Sequence, residues 1–207
     1  QYSNSLRVVR ATQTNAVNAS TSGTGVLIKN TDDWTNNYAS GGQAGNATFV
    51  AREAGTDGNN LQVSTCPNAA AYEEEGATTV NDASTAVGDT VVVTASGAAL
   101  NVGDIISFST TAATNDYDDG EQYRVTNINT NDVTIVQHPR GTGGLKRALT
   151  DGSNIRRRWK YYDAVDGAPG TSTYVSERNG ANDEIHVVVI DEDLSLIHIS
   201  EPTRPLI

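Results

Sequence analysis

The sequence of 207 residues contains no methionine, only one cysteine and only 6% aromatic residues. A single cysteine, Cys66, excludes an internal disulfide, and it has no CxxC partner that would suggest a redox or zinc site. No apolar run approaches the roughly 20 residues that a membrane helix needs. The basic-then-apolar pattern of a secretory signal is also missing at the N-terminus. These absences predict synthesis in a reducing cytoplasm and no insertion into a membrane.

Basic residues are scarce relative to acidic ones, and the formal net charge is -11. Because such a chain repels phosphate, general binding of nucleic acid is not expected. Val, Thr, Asn, Gly and Ala dominate the composition, and this mixture favours strands joined by tight turns. We therefore expect a mainly β (α+β) fold.

A regular series of strand patterns occupies the middle of the chain. Val87-Gly88-Asp89 recurs as Val102-Gly103-Asp104, and each copy leads into a strand. The series predicts a small antiparallel β-barrel or meander over residues 83–140, inserted into a host domain. The four strands are predicted at Thr90–Ala95, Ile105–Ser109, Glu121–Thr126 and Asp132–Gln137. The residues predicted to form structural turns are Gly55, Gly58, Asn59, Gly88, Asp89, Gly103 and Asp104.

Residues 1–82 and 141–193 are predicted to form that host domain, a partial mixed sheet or β-sandwich. Its strands are expected at Leu6–Ala11, Leu61–Thr65 and Asp183–Ile190, the last covered on both faces. Thr31 is the expected N-cap of one or two helical turns. The glutamate-rich segment Tyr72–Asp82 is interpreted as a solvated linker.

No stretch of the sequence has the residue spacing of a known catalytic, cofactor-binding or metal-binding motif. Gly141–Lys146 lacks the length and hydroxyl residue of a P-loop, and Asn115–Glu121 misplaces the ligands of a calcium loop. His138 and His186 belong to no zinc motif, and no GxSxG elbow is present. We therefore expect no catalytic residue, no cofactor, no metal site and no enzyme activity.

The one basic and aromatic run is RRRWKYY, from Arg156 to Tyr162, which is predicted to be a strand. Arginine and aromatic side chains are enriched at protein interfaces, so five residues are candidates for a subunit interface. An alternative is an amphipathic strand whose Trp159 and Tyr161 faces belong to the core, and the two interpretations are compatible. The candidates are Arg156, Arg157, Arg158, Trp159 and Tyr161.

Both ends of the sequence resemble cut ends. Residues Leu194–Arg204 read LSLIHISEPTR, which resembles the translation of a transposon-end adapter used for sequencing libraries. Residues 194–207 are therefore interpreted as an artefact and excluded from fold reasoning.

Four segments, taken in order, resemble the contractile tail sheath proteins of myovirus-type bacteriophages. They are Tyr2–Ala11, Gly25–Lys29 with Asp32-Asp33-Trp34, Phe49–Val63, and Trp159–Asp193. The third contains the most specific pattern, with Ala51, Gly55, Gly58, Asn59, Leu61 and Val63 at the spacing of the family motif. The chain is identified on this resemblance as an internal fragment of a sheath protein.

The resemblance implies a mechanical function in the virion, after synthesis in the host cytoplasm. Sheath subunits assemble as stacked hexameric rings around a tail tube, contact a baseplate, and contract to drive the tube through the host envelope. The expected partners are copies of the same chain, the tube and the baseplate. The alternative is a β-rich adhesin or receptor-binding module of a virion or cell surface.

Overall fold

A computed structural model describes residues 15–21, 25–39 and 49–191, together with the backbone of a strand at 196–200. The predicted strand Leu6–Ala11 lies outside the described residues. The described residues belong to two compact units. One unit falls within Gln1–Ser64 and Val187–Ser200, and the other within Thr65–His186.

The fold is mainly β, as the composition predicts. In chain order, the strands and α-helices of the described residues are β1 (Asn18–Ser20), α1 (Thr31–Asn37), β2 (Val50–Ala54), β3 (Leu61–Cys66), α2 (Ala69–Tyr72), β4 (Glu73–Thr79), β5 (Val91–Val93), β6 (Ile105–Ala112), β7 (Gln122–Asn129), β8 (Asp132–His138), β9 (Ser153–Arg158), α3 (Thr173–Ser176), β10 (His186–Asp191) and β11 (Leu196–Ser200).

These strands form three sheets. The strands β1 and β2 pair as an antiparallel ribbon, and a three-stranded sheet has the order β11-β10-β3. The strand predicted at Asp183–Ile190 is confirmed from His186 onward, and it lies at the centre of its sheet with Val188 buried. The third sheet has the order β4-β9-β6-β7-β8-β5, and all of its neighbours are antiparallel.

The six-stranded sheet contains the four strands predicted within residues 83–140, now seen as β5, β6, β7 and β8. Its other two strands, β4 and β9, come from either side of that range. The prediction of a solvated linker at Tyr72–Asp82 is wrong, because Glu73–Thr79 is an edge strand. Glu73 lies opposite Arg158 and Glu74 lies opposite Arg157, so the acidic run is complemented across the sheet.

The two edges of this sheet meet at one point. Val80 and Thr94 form an isolated antiparallel bridge. Beside it, the Asn81 amide donates to the Val93 carbonyl and the Ala95 amide donates to the Thr79 carbonyl, both at 2.9 Å. Over the described residues the sheet is not a closed barrel, so the barrel form of the inserted module stays a prediction.

The hydrophobic core of the unit 65–186 lies between the strands of the six-stranded sheet and the loops that connect them. Burial of this apolar surface is the main term that favours folding of the unit. Its buried members are Val80, Val92, Leu100, Ile106, Phe108, Tyr123, Val125, Val133, Ile135, Leu145, Leu149 and Ile155.

The N-terminal unit is organised around a buried amide and a capped helix. The Asn18 side chain is fully buried, donates to the carbonyls of Ala51 and Arg52, and accepts from the Ile28 amide, all at 2.9 Å. Helix α1 confirms the predicted helical turns, but its N-cap is Asn30 and not Thr31. The Asn30 side chain accepts from the amide three residues later at 2.8 Å, and Thr31 is the first helical residue.

Candidate subunit interface

Strand β9 presents its three arginines to two different faces of the sheet. Ile155 points into the core, so Arg157 shares that face, whereas Arg156 and Arg158 point to the opposite, outer face. The predicted strand Arg156–Tyr162 is correct only in its first half, because β9 ends at Arg158 and a 3-10 helix begins at Tyr162.

Arg156 and Arg158 converge on one carboxylate, that of Asp119 in the connection between β6 and β7. Both guanidinium groups form ion pairs with the Asp119 Oδ1 atom, and the Arg158 Nη1 atom lies 3.2 Å from it. The Arg156 side chain is 8% exposed, while the Asp119 side chain is 66% exposed. The hydrogen bond from Arg156 lowers the pKa of Asp119, so the carboxylate stays ionised well into the acidic range.

Two aromatic rings and a second carboxylate also contact the outer-face arginines Arg156 and Arg158. The Arg156 guanidinium lies 4.7 Å from the centre of the Tyr117 ring, and the Arg158 guanidinium lies 5.0 Å from the Tyr162 ring. Arg158 also forms an ion pair with its cross-strand neighbour Glu73. Each outer-face arginine is therefore held from two sides by groups of its own chain.

Arg157 links strand β9 to helix α2. Its Nη2 atom donates to the Ala70 carbonyl at 2.8 Å and pairs with Glu74 at 3.0 Å, and its Nη1 atom lies 4.0 Å from Asp104. Burial raises the pKa of Asp104, although a hydrogen bond from Asn101 and the Arg157 charge act in the opposite direction. A buried arginine is thus shared between helix carbonyls and two carboxylates.

Trp159 and Tyr161 follow the arginines and pack into an aromatic group. Trp159 is 5% exposed, its ring stacks with His186 at 6.3 Å between centroids, and it contacts the Tyr161 ring edge-on at 5.5 Å. The Lys160 ammonium lies 4.6 Å from the centre of the half-buried Tyr161 ring. Trp159 is therefore a packed residue, as the alternative interpretation predicts for its face.

The structure brings the candidate interface residues together, but they differ in how exposed they are to a partner. Arg156 and Trp159 are buried within the chain, and Arg157 is nearly so. Tyr161 and Lys160 are half-buried and remain accessible in part. Whether this segment contacts another subunit stays a prediction, and its accessible members would be the first points of contact.

The two Val-Gly-Asp copies form the same turn. Gly88 and Gly103 have φ angles of +94° and +98°, values that glycine adopts at low cost. Each following aspartate accepts a hydrogen bond from the amide three residues earlier, at 2.7 Å for Asp89 and 2.8 Å for Asp104. The sequence repeat is therefore a repeat of turn geometry.

The remaining predicted turn residues, Gly55, Gly58 and Asn59, precede β3. Gly55 has a φ of +132°, and Gly58 and Asn59 lie in a 3-10 helix, Asp57–Asn60. A Cβ atom on Gly58 would lie 2.7 Å from that of Ala51, so this position requires glycine for close packing.

Sequence reasoning missed the acidic partners of the arginines: Glu73, Glu74 and Asp119. One signal was present, because a run of three glutamates and a run of three arginines are of equal length and opposite charge. Their pairing depends on two strands that are far apart in the chain, so neither run alone identifies it. No sequence signal singles out Asp119 among its acidic neighbours.

Other reactive groups occupy ordinary surroundings. The Cys66 thiol is buried, lies 3.5 Å from the Asn68 carbonyl oxygen, and has its pKa raised by burial. Hydrogen bonds from Thr110 and Thr114 lower the pKa of Asp116 to about 2. In the described part of the chain, no three His, Cys, Asp or Glu residues are grouped closely enough to hold a metal ion.

Across the described residues, no helix has the length and apolar character to cross a bilayer. Comparison with protein-family models, with curated proteins and with solved structures found no match to this chain.

Proposed function

We propose that this chain is part of a structural subunit of a phage contractile tail sheath, which assembles with copies of itself around a tail tube. The observation that carries the proposal is the order and spacing of the four segments that resemble sheath proteins. The third of these, Phe49–Val63, contains the most specific pattern.

The division into two units supports the proposal. Three of the four resembling segments fall within the range of the first unit, and the fourth, Trp159–Asp193, falls mostly within that of the second, Thr65–His186. The second unit contains the whole of the predicted insert, residues 83–140, together with strands β4 and β9 on either side of it. The hydrophobic core joins residues of the predicted insert to Val80, Leu145, Leu149 and Ile155 on either side of it.

The proposed work is mechanical. Sheath subunits form a heterologous helical assembly with two packings, and contraction is the change from one packing to the other. Such a subunit needs surfaces that dock and a body that transmits load, and it needs no cofactor or reactive side chain. The paired arginines of β9 suit that requirement, since a cross-linked sheet deforms less than one held by apolar contacts alone.

The experiment that tests assembly uses the complete gene product that contains this sequence. Purified protein is examined by negative-stain electron microscopy and by size-exclusion chromatography with light scattering. We expect rings or tubes of regular diameter. A protein that stays monomeric under all conditions, or that shows catalytic turnover without assembly, contradicts the proposal.

A matched pair of tyrosine variants tests the candidate interface. Y161D places a charge on the half-buried aromatic group, and Y174D places the same charge on an exposed tyrosine of helix α3. We expect Y161D to reduce assembly at least tenfold and Y174D to leave it unchanged, with both variants folded by circular dichroism. Equal assembly by both variants would exclude Tyr161 from the interface.

The adhesin alternative is favoured by one observation. Val87 and Val102, at the tips of the twin turns, are 70% and 59% exposed. Exposed apolar turn residues suit contact with a cell-surface ligand. Binding of the complete product to host cells or glycan arrays, lost in a V87S/V102S variant and without formation of tubes, would favour this function over the sheath.

A further inference from the structure

A row of side chains crosses the outer face of the six-stranded sheet. In the register of β9, β6 and β7, Ile105 lies opposite Arg158 on one side and opposite Arg124 on the other. Tyr123 and Val125 point into the core, so Arg124 between them points outward, as Arg158 does. Two cationic positions thus flank the buried Ile105 on one face.

The two arginines differ in their partners. Arg158 is paired with Glu73 and Asp119. For the half-buried Arg124, no carboxylate of the described residues lies within ion-pair distance. A half-buried guanidinium has lost part of its hydration, so an unpaired one favours the approach of an anion.

His138 adds a second unsatisfied group beside Arg124. In the pairing of β7 with β8, Arg124 lies opposite Val136 and Gln122 lies opposite His138, so Arg124 and His138 are diagonal neighbours on the outer face. The His138 Nδ1 atom is buried and has no hydrogen-bond partner in the described structure. Burial lowers the pKa of His138, the Arg124 charge lowers it further, and the exposed Asp163 opposes both only in part.

Gln122 supplies a donor on the same face. Its Oε1 atom accepts a hydrogen bond from the Tyr162 hydroxyl at 2.8 Å. This bond fixes the orientation of the amide, so its NH₂ group is the end that can donate to a ligand. A guanidinium, an amide NH₂ and an imidazole are the donors that recognise phosphate and carboxylate groups.

We propose that Arg124, with Gln122 and His138, forms a binding site for a small oxyanion of the phosphate or carboxylate class. Arg124 provides the charge and a forked pair of donors, Gln122 provides a directed donor, and His138 provides an imidazole whose protonated form a bound anion stabilises. The chain as a whole is acidic and repels anions, so binding at this face depends on the local arrangement of these donors. The site does not depend on the proposed assembly.

The test uses the full chain and three probe anions: inorganic phosphate, sulfate and acetate, each titrated against chloride at constant ionic strength. The readout is the NMR titration of the His138 imidazole, with the melting temperature as a second measure. We expect saturable binding that raises the pKa of His138, because a bound anion stabilises the imidazolium. Response to phosphate and sulfate alone assigns the phosphate class, and response to acetate as well assigns a site that also accepts carboxylates.

Two charge-matched variants separate a built site from general attraction. R124Q removes the proposed anchor, and R140Q removes an exposed arginine two residues after His138. We expect R124Q to weaken binding roughly tenfold or more, the usual effect of losing a charge-assisted hydrogen bond, and R140Q to leave it within about twofold. H138Q provides an independent variant if R124Q is poorly folded, and it should weaken phosphate binding measured by calorimetry. An unchanged His138 titration in all three anions, or equal losses in R124Q and R140Q, overturns the proposal.

Discussion

At the scale of single residues, the twin Val-Gly-Asp turns show which features of a turn are fixed by the backbone. Gly88 and Gly103 share a positive φ. A Cβ atom on Gly88 would meet nothing within 4 Å, whereas one on Gly103 would lie 2.9 Å from the Lys160 Cδ atom. The Lys160 side chain is flexible and can move, so backbone conformation should dominate the cost at both positions.

We therefore predict that G88A and G103A each lower the free energy of unfolding by a similar amount, about 1–2 kcal/mol, because alanine is strained at positive φ. Urea denaturation of the two variants beside the wild type provides the measurement. Gly167, which has no positive φ and open space around it, offers the matched control G167A. A large loss in G103A with none in G88A would show that Lys160 packing, and not φ, decides the cost.

The aspartates of the twin turns differ in burial, since Asp104 is buried and Asp89 is half-buried. Burial raises the pKa of Asp104 above its ordinary value of 3.8, so the folded state binds a proton at this site more readily than the unfolded state. The stability due to this proton is fully present below pH 3.8 and is lost as the pH rises through the folded-state pKa.

The resulting prediction concerns the difference between the wild type and D104N. The free energy of unfolding of the wild type, minus that of D104N, should fall as the pH rises from 3.5 to 7, and urea melts across this range measure it. D89N provides the control at the equivalent position of the other turn. Parallel pH profiles for the wild type and D104N would contradict the raised pKa.

At the scale of elements, the pairing of β4 with β9 depends on opposite charges, and the buried partner of each pair matters most. The Arg157 side chain is 11% exposed. It donates to the Ala70 carbonyl and forms ion pairs with Glu74 and Asp104. The Glu74 side chain is 48% exposed, so water can replace its carboxylate as a partner of Arg157. The two ends of one ion pair should therefore respond very differently to mutation.

We predict that R157Q lowers the free energy of unfolding by about 3 kcal/mol or more, because the buried Asp104 loses its neighbouring cation and the Ala70 carbonyl loses its donor. E74Q should cost less than about 1 kcal/mol, as an exposed pair does. Chemical denaturation followed by circular dichroism measures both. Equal losses would mean that the Glu74 pair, and not the anchoring of α2, is what Arg157 contributes.

The same two strands show where sequence reasoning succeeds and where it stops. Strands β5 to β8 have local alternation and turn signals, so their positions are predicted within a few residues. Strand β4 has three glutamates and a glycine, which resemble a linker until Arg157 and Arg158 are known to lie opposite. The candidate interface has the same limit, since the ion pair of Arg156 with Asp119 joins residues from separate strand and loop segments and is not visible in the sequence.

At the scale of the whole molecule, the described chain divides into two compact units. The apolar core of the unit 65–186 draws on five strands of the six-stranded sheet and on Leu100, Leu145 and Leu149 from its loops. The sheet edges meet at Val80 and Thr94, which protects part of the backbone that an open edge would expose. A unit of this kind should unfold as a single cooperative body.

Limited proteolysis of the full chain tests this cooperativity, because the unit contains its own trypsin sites at Lys146, Arg147 and Arg156 to Arg158. We predict a persistent tryptic fragment that begins at Glu53, after the last trypsin site before the unit, and that still contains the internal sites, identified by mass spectrometry. Those internal sites should be cut only as fast as the whole unit opens.

I135A, which leaves a core cavity that costs about 2–5 kcal/mol, should accelerate cleavage at all of these internal sites together. V91A, at an exposed position of β5, should not. Early cleavage at Arg156 to Arg158 alone in the wild type would show that β9 opens independently, and that the arginine cluster does not hold the sheet together.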